Sequence, residues 1–462
     1  MVQTAKVEHD ALARLAPEMI GPKALKQLEK QLHKMKEMFL SALMLETGRT
    51  RDELLLQEYL PALFTIRWLM HAGSATLSAR RIGSGFPLYF GKKNIWLKRE
   101  PLGTVLVIGT WNYPLQINFR QILFALFAGN QVVFKPSPRV GATASVLEIL
   151  FNSVDGWEDW VELIDASPEA LDLVWPRVDS VVFTGSSRVG KLIAQKAAEL
   201  SIPAIIEASG YDSVVTGVDT PEVRLIEHLV WAFTTHMGQT CVAPKILWIK
   251  RQDPANILGK IVTSLTDYEE HTAKTFFRAL AEPEALQSEI FRRSAIRIGF
   301  DVAWQSQNGA VKVLRSETSQ ILRRLFTSDG FTLPFDATLL VVEYESIEEV
   351  LVWVNSAFGG LMVSTLGLTK KERQLIETGA NRSVVAHNEI VVHAGDPAVA
   401  FGGRGISGIG YVGGDEHLLA MTRPKTIITA SRRTRFALAR WKQFDGREPL
   451  VQKFFGWLDK RH

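Results

Sequence analysis

The sequence predicts an α/β protein: a doubly wound parallel sheet, a second α/β unit and a small element suited to subunit contact. Three observations carry this. Between residues 103 and 207, short apolar runs of strand length alternate with helical periodicity, as strands buried on both faces under crossover helices require. At 462 residues the chain exceeds one ordinary core, so more than one unit is expected. A composition of 46% hydrophobic and 22% charged residues, with a mean hydropathy of +0.05, belongs to packed soluble domains and excludes a disordered chain.

In chain order, residues 18–81 place apolar side chains at helical spacing, as in Leu25, Leu28, Leu32, Met35, Phe39 and Leu43. The pattern breaks at Glu46-Thr47-Gly48-Arg49-Thr50 and resumes at Leu54-Leu55-Leu56. These read as packing helices carrying little chemistry. Residues 83–100 turn to β signals, with Phe86, Leu88 and Phe90, then Ile95 and Leu97, around Gly91-Lys92-Lys93-Asn94. A hairpin follows, either at the surface or at a subunit contact. Residues 103–109 form a buried strand, then a turn and a helix running to Phe127 and closed by Gly129-Asn130. The next strand, residues 131–134, ends in Lys135-Pro136-Ser137-Pro138. A helix over 141–151 and a strand over 180–184 lead into Gly185-Ser186-Ser187-Arg188-Val189-Gly190-Lys191. Ligands of such sheets collect at the carboxyl ends of the strands, where Asn112, Lys135 and Gly185 fall.

Two glycine motifs mislead. The stretch from Gly185 to Lys191 fits the opening of a triphosphate-binding loop, yet Leu192 stands where a hydroxyl should hold magnesium. A helix start offering N–H groups to a pyrophosphate accounts for the same residues. Gly403-Arg404-Gly405-Ile406-Ser407-Gly408 spells a dinucleotide fingerprint but follows no clear strand, so it reads as a loop. Ala204-Ile205-Ile206-Glu207 is a strand ending in a carboxylate, which serves either as a desolvated general base or as a cap for the next turn.

A helix over 225–235 leads to the only cysteine, Cys241, set among small and polar residues. A lone cysteine is either a small buried apolar residue or a nucleophile, and one cysteine forms no internal disulfide, which fits a cytoplasmic protein. Residues 251–330 read as mixed helices, 338–342 and 382–385 as strands, and 432–462 as an amphipathic tail that packs on the protein, a second subunit or a membrane surface. The net charge of +4 is small and its charges are scattered, giving no reason to invoke nucleic acid. The first 30 residues lack a signal-peptide core, and nothing suggests a metal.

Trp111-Asn112-Tyr113-Pro114, Phe134-Lys135-Pro136-Ser137, Phe183-Thr184-Gly185-Ser186, Glu207, Gly238-Gln239-Thr240-Cys241 and Phe401-Gly402-Gly403 together resemble the aldehyde dehydrogenase superfamily. They are most similar to the short class that includes fatty-aldehyde dehydrogenases. Cys241 follows Glu207 by 34 residues, which is similar to the family's spacing of base and nucleophile. The resemblance implies NAD(P)-dependent oxidation of an aldehyde to a carboxylic acid. Cys241 would be the nucleophile, Glu207 the base that hydrolyses the thioester, and Asn112 with the Cys241 N–H the oxyanion donors. Lys135, Ser137, Gly185, Ser186, Val189, Trp111 and Ala208 would bind NAD or NADP. The expected division is N-terminal helices and a dinucleotide-binding domain over 1–207, a catalytic domain over 208–395 and a C-terminal return and tail over 396–462. A homodimer is expected because closed dimers are the commonest solution, with the 83–100 hairpin and the C-terminal helix as contact elements.

The chain departs from the family at three places. Ala208-Ser209-Gly210-Tyr211 replaces the usual Leu-Gly-Gly-Lys after the base, and Leu333 stands where a carboxylate usually holds the nicotinamide ribose. Pro138, followed by Arg139, replaces the acidic partner of the adenosine ribose. Arg139 suits the 2′-phosphate of NADP. These losses keep open a catalytically weak or inactive binding or scaffold protein, and reductase or acyl-transfer chemistry through the same thioester. Trp111, Tyr113, Trp231 and Phe233 belong either to the core or to an apolar substrate entrance.

Overall fold

The computed structural model describes residues 21–83, 93–208, 210–218, 223–251, 256–276, 280–327, 334–356, 359–430, 452, 453 and 456. The hairpin segment at Phe86, Leu88 and Phe90, the replacement residues Ser209 and Leu333, and nearly all of the amphipathic tail lie outside the described residues.

The expected N-terminal helices form. Pro22–Lys34 buries Leu25, Leu28 and Leu32, and Lys36–Thr47 buries Phe39, Leu40 and Leu43. After the predicted break, Thr50 begins the next helix through a capping box with Glu53, which satisfies N–H groups the first turn cannot pair. This helical run contains two π-helical turns, Leu55–Tyr59 and Leu69–Gly73. The first has a local cause: Pro61 brings no N–H to the carbonyl one turn back, and the ladder widens so that the Leu60 N–H bonds the Leu55 carbonyl.

One sheet has the strand order Val161–Leu163, Gln131–Lys135, Thr104–Ile108, Ser180–Gly185, Ala204–Ala208 and Gly408–Ile409. All pairs are parallel except the last. Thr104–Ile108 is buried at every position, as a strand covered on both faces must be. Helices Gln116–Phe127, Gly141–Asn152 and Ser187–Glu199 are among its crossovers. The second sheet has seven strands in the order Asp301–Gln305, Val311–Ser316, Ala337–Tyr344, Pro244–Lys250, Asp212–Thr216, Met362–Leu366 and Val384–His387, parallel except for the first pair. The chain passes from one sheet to the other between Ala208 and Asp212, directly after Glu207.

The described part of residues 83–100, the stretch expected as a hairpin, is a strand of the third sheet. Lys93–Pro101 pairs antiparallel with Arg80–Ile82 on one side and with the distant Thr422–Ala430 on the other. Alternate half-buried and exposed positions mark its one-sided cover. Residues 251–330, expected as helices, also contribute the strands Asp301–Gln305 and Val311–Ser316. The first alternates too weakly to register as a strand, because it is an edge open to solvent.

Candidate active site

Cys241 follows a loop that few sequences adopt. Helix Val223–Thr234 runs into a short turn, Thr235–Gly238, in which His236, Met237 and Gly238 take φ values of 49°, 56° and 69°. Left-handed backbone costs roughly 1–3 kcal/mol at each non-glycine residue, so surrounding contacts must enforce it. At Gly238 a side chain is also excluded by space, since a Cβ would lie 2.3 Å from the Asp336 carbonyl oxygen. The buried Lys245 donates to the Gly238 and Asp336 carbonyls, the Asn112 amide donates to the Gln239 carbonyl at 2.9 Å, and the Tyr113 and Thr240 hydroxyls share a hydrogen bond of 2.7 Å.

Glu207 reaches the same place from the other sheet. It ends the strand Ala204–Ala208, is 2% exposed, and accepts from the Thr184 hydroxyl at 3.3 Å; Thr184 in turn accepts from the Gln121 amide at 2.6 Å. Gly408 runs antiparallel against Glu207, with φ of 134° and no room for a Cβ, which would sit 1.9 Å from the Ile206 carbonyl oxygen. The glycine-rich stretch is the expected loop, with a 3₁₀ turn at Gly405–Ser407, and only its last residue, Gly408, opens the short edge strand that covers the carboxylate strand. Burial pushes the Glu207 carboxyl up, with the adjacent Cys241 thiol and Thr184 opposing. Burial pushes the Cys241 thiol well up, and the Glu207 carboxylate beside it pushes further. A resting thiol here is protonated, and the neighbour able to receive its proton is Glu207.

Asn112 is buried; its side-chain oxygen accepts from Thr110 and one amide hydrogen serves Gln239, leaving the second amide hydrogen for another acceptor. Cys241 and Glu207 both face a cavity of about 740 Å³. Its walls are largely apolar: Leu56, Pro61, Phe64 and Trp68 from the N-terminal helices, Ile117 and Trp231, and Val391, Phe401 and Val412 from the C-terminal part. Of the aromatic residues weighed for a substrate entrance, Tyr113 and Trp231 line this cavity, whereas Phe233 is core, 1% exposed, and Trp111 packs elsewhere. The helices expected to carry little chemistry thus build one wall. Their polar members, Arg49, Gln57 and Glu58, escaped the motif reading, although Glu58 sits one turn after Leu54 in an apolar run and so marks a carboxylate on a buried face.

The cofactor candidates lie along the carboxyl ends of the first sheet. Lys135 closes its strand, 7% exposed, and donates to the Ala166 carbonyl at 2.5 Å and the Pro136 carbonyl at 3.5 Å; burial holds its amine below the usual lysine range. An ammonium has three hydrogens, so one remains for a ribose hydroxyl. Ser186 caps helix Ser187–Glu199 by accepting from the Val189 N–H, and the first N–H groups of that helix have no carbonyl one turn back. Gly185 pairs in register with the buried Ala208, and Ser137 accepts from the Arg139 N–H. Trp111 stands edge-on to His236 and Phe335, and the Arg139 guanidinium lies 4.7 Å over its ring while pairing with Glu284 at 2.7 Å. This donor set fits a dinucleotide: helix N–H groups for a pyrophosphate, an amine for a ribose, an indole for a flat ring. Among the described residues no group of three or more His, Cys, Asp or Glu side chains is arranged to hold a metal ion.

Fold and site together define an α/β enzyme with a thiol and a carboxylate where its two larger sheets meet. The chain belongs to the aldehyde dehydrogenase family, whose profile matches residues 1–279. It is similar to the 4,4'-diapolycopene-4,4'-dial dehydrogenase of Cytobacillus firmus, 27% identical over 72% of this chain and 73% of that one. It is similar also to the dimeric NADP-preferring aldehyde dehydrogenase of Rattus norvegicus, 25% identical over 73% and 74%. The solved Staphylococcus aureus AldH in its substrate-bound state shares the fold, with a TM-score of 0.81 at 23% identity over 94% of each chain.

Proposed function

We propose that the protein oxidises an apolar aldehyde to the carboxylic acid through a covalent thioester on Cys241. One observation carries this reading: the thiol and the buried Glu207, contributed by different sheets, face one largely apolar cavity. Cys241 loses its proton to Glu207, which releases it to solvent before the hydrolytic step, and the sulfur bonds the aldehyde carbon, giving a thiohemiacetal whose oxygen is received by the Asn112 amide and the Cys241 N–H. NAD or NADP, when bound, supplies the acceptor for the hydride that leaves this carbon. Glu207 then takes a proton from water, whose oxygen attacks the thioester; the carbon–sulfur bond breaks and the acid departs. Burial, by raising the Glu207 carboxyl, makes it a stronger base than an exposed glutamate.

Lys135 and Ser137 would hold the adenosine ribose, Gly185, Ser186, Val189 and Ala208 the pyrophosphate region, and Trp111 the ring half. Arg139 would exchange Glu284 for the 2′-phosphate of NADP, a preference in keeping with the name of the NADP-preferring rat relative. The apolar cavity suits a long alkyl chain, and the Cytobacillus firmus relative is named for 4,4'-diapolycopene-4,4'-dial. No helix among the described residues is long and apolar enough to cross a membrane. A cytoplasmic homodimer, joined through the sheet edged by Thr422–Ala430, completes the reading, with the tail left to contact a membrane surface.

The test is absorbance of the reduced dinucleotide while NAD or NADP is incubated with aldehydes of increasing chain length. Wild type should turn over best with long apolar aldehydes, and Cys241→Ala should abolish the signal. Turnover surviving that substitution would end the thioester reading.

A further inference from the structure

The N-terminal helices reach into the cysteine loop through a chain of buried and half-buried polar contacts. The Arg49 and Glu58 side chains are both fully buried and form an ion pair of 2.9 Å. Glu58 also accepts from the N–H groups of Leu115 and Gln116, fixing the start of the helix that follows Asn112 and Tyr113. Arg49 donates to the Gln57 side-chain oxygen at 2.5 Å and its guanidinium lies 4.8 Å over the Tyr113 ring. Each of these two neighbours then touches one end of the loop. The Gln57 amide donates to the Thr235 hydroxyl at 3.0 Å, and the Tyr113 hydroxyl bonds Thr240, the residue before Cys241.

We propose that Gln57 and Tyr113, backed by the Arg49–Glu58 pair, are positioning residues that clamp the Thr235–Cys241 loop at both ends. The loop needs a clamp, because His236 and Met237 hold left-handed backbone that local sequence disfavours. If the loop relaxes, Cys241 and its N–H move away from the Asn112 amide, and misplacement by about 1 Å lowers a rate roughly a hundredfold. The π-helical turn serves the same end. Widening the ladder before Pro61 changes the angle at which Gln57 and Glu58 leave the helix, and these two residues make the contacts across the protein.

The proposal rests on Cys241 being the nucleophile, and the test separates the two. Tyr113→Phe removes only the hydroxyl and keeps the ring under Arg49; Gln57→Met keeps the side-chain length and removes the amide. Steady-state turnover, dinucleotide KM, melting temperature and the rate of alkylation of Cys241, the only cysteine, by iodoacetamide are measured for each. Each variant should lose roughly ten- to a hundredfold in kcat, with dinucleotide KM unchanged and alkylation faster as the loop loosens. A residue that served folding alone would lower the melting temperature and leave kcat and alkylation of the folded enzyme where they were; kcat within about twofold of wild type in both variants overturns the clamp. If wild type itself oxidises no aldehyde with either dinucleotide, the nucleophile reading falls and the clamp with it.

Discussion

The two halves of the site are built differently. Around Cys241 and Glu207 the polar groups are cross-tied and, apart from the half-buried Gln57, buried: Asn112, Tyr113, Gln57 and Lys245 each bond the cysteine loop, and Gln121 and Thr184 lead to Glu207. Along the edge proposed for the dinucleotide the ties are uneven: Lys135 is buried against two carbonyls, whereas the Arg139 side chain is 47% exposed and held by a stack and one ion pair. Groups that make and break covalent bonds tolerate little displacement, whereas groups that receive a departing ligand must open to it. The sequence differences follow the same division. The proposed nucleophile, base and amide donor match the family pattern, and the departures at Pro138, Arg139 and Ala208 fall on the edge proposed for the dinucleotide.

Substitutions on either side can break or sharpen this contrast. The largest effect is expected at Glu207→Gln, which should lower steady-state turnover by roughly 10²–10⁴-fold. Because the carboxylate charge helps to push the thiol up, the same variant should alkylate at Cys241 faster than wild type at pH 8, and slower alkylation would contradict the coupling. Next, Glu58→Ala leaves Arg49 a buried, unpaired charge and should destabilise the fold by about 3–5 kcal/mol in chemical denaturation. Burial raises Glu58 from 4.5 to about 7, against the pull of Arg49. Its stabilising share is thus complete below pH 4.5 and lost as pH rises through 7. The gap between wild type and Glu58→Ala should accordingly narrow between pH 5 and pH 8. The smallest effect falls on the open edge: Arg139→Ala should weaken NADP binding about tenfold in a fluorescence titration, the worth of one charge-assisted hydrogen bond. It should leave NAD within about twofold; equal loss of both would place Arg139 outside phosphate recognition.

By itself the sequence determined the doubly wound sheet over residues 104–208, because strands buried on both faces leave unbroken apolar runs that no amphipathic helix imitates. It also singled out Cys241, Glu207, Asn112 and the strand-end positions of Lys135 and Gly185, since chemistry restricts which residue types serve there. It left open whether Cys241 was filler or nucleophile and whether Glu207 was base or cap. Tertiary structure decided that thiol and carboxylate meet in one cavity, that Gly408 covers the Glu207 strand, and that Thr422–Ala430 pairs with Lys93–Pro101. It also turned the N-terminal helices from packing into a wall of the cavity that Cys241 and Glu207 face, with Gln57 touching Thr235 across 178 residues of chain. Contacts of that separation leave no periodicity in the sequence, because each partner is locally an ordinary helical or loop residue. Only the packing of helix against loop gives the pair its meaning.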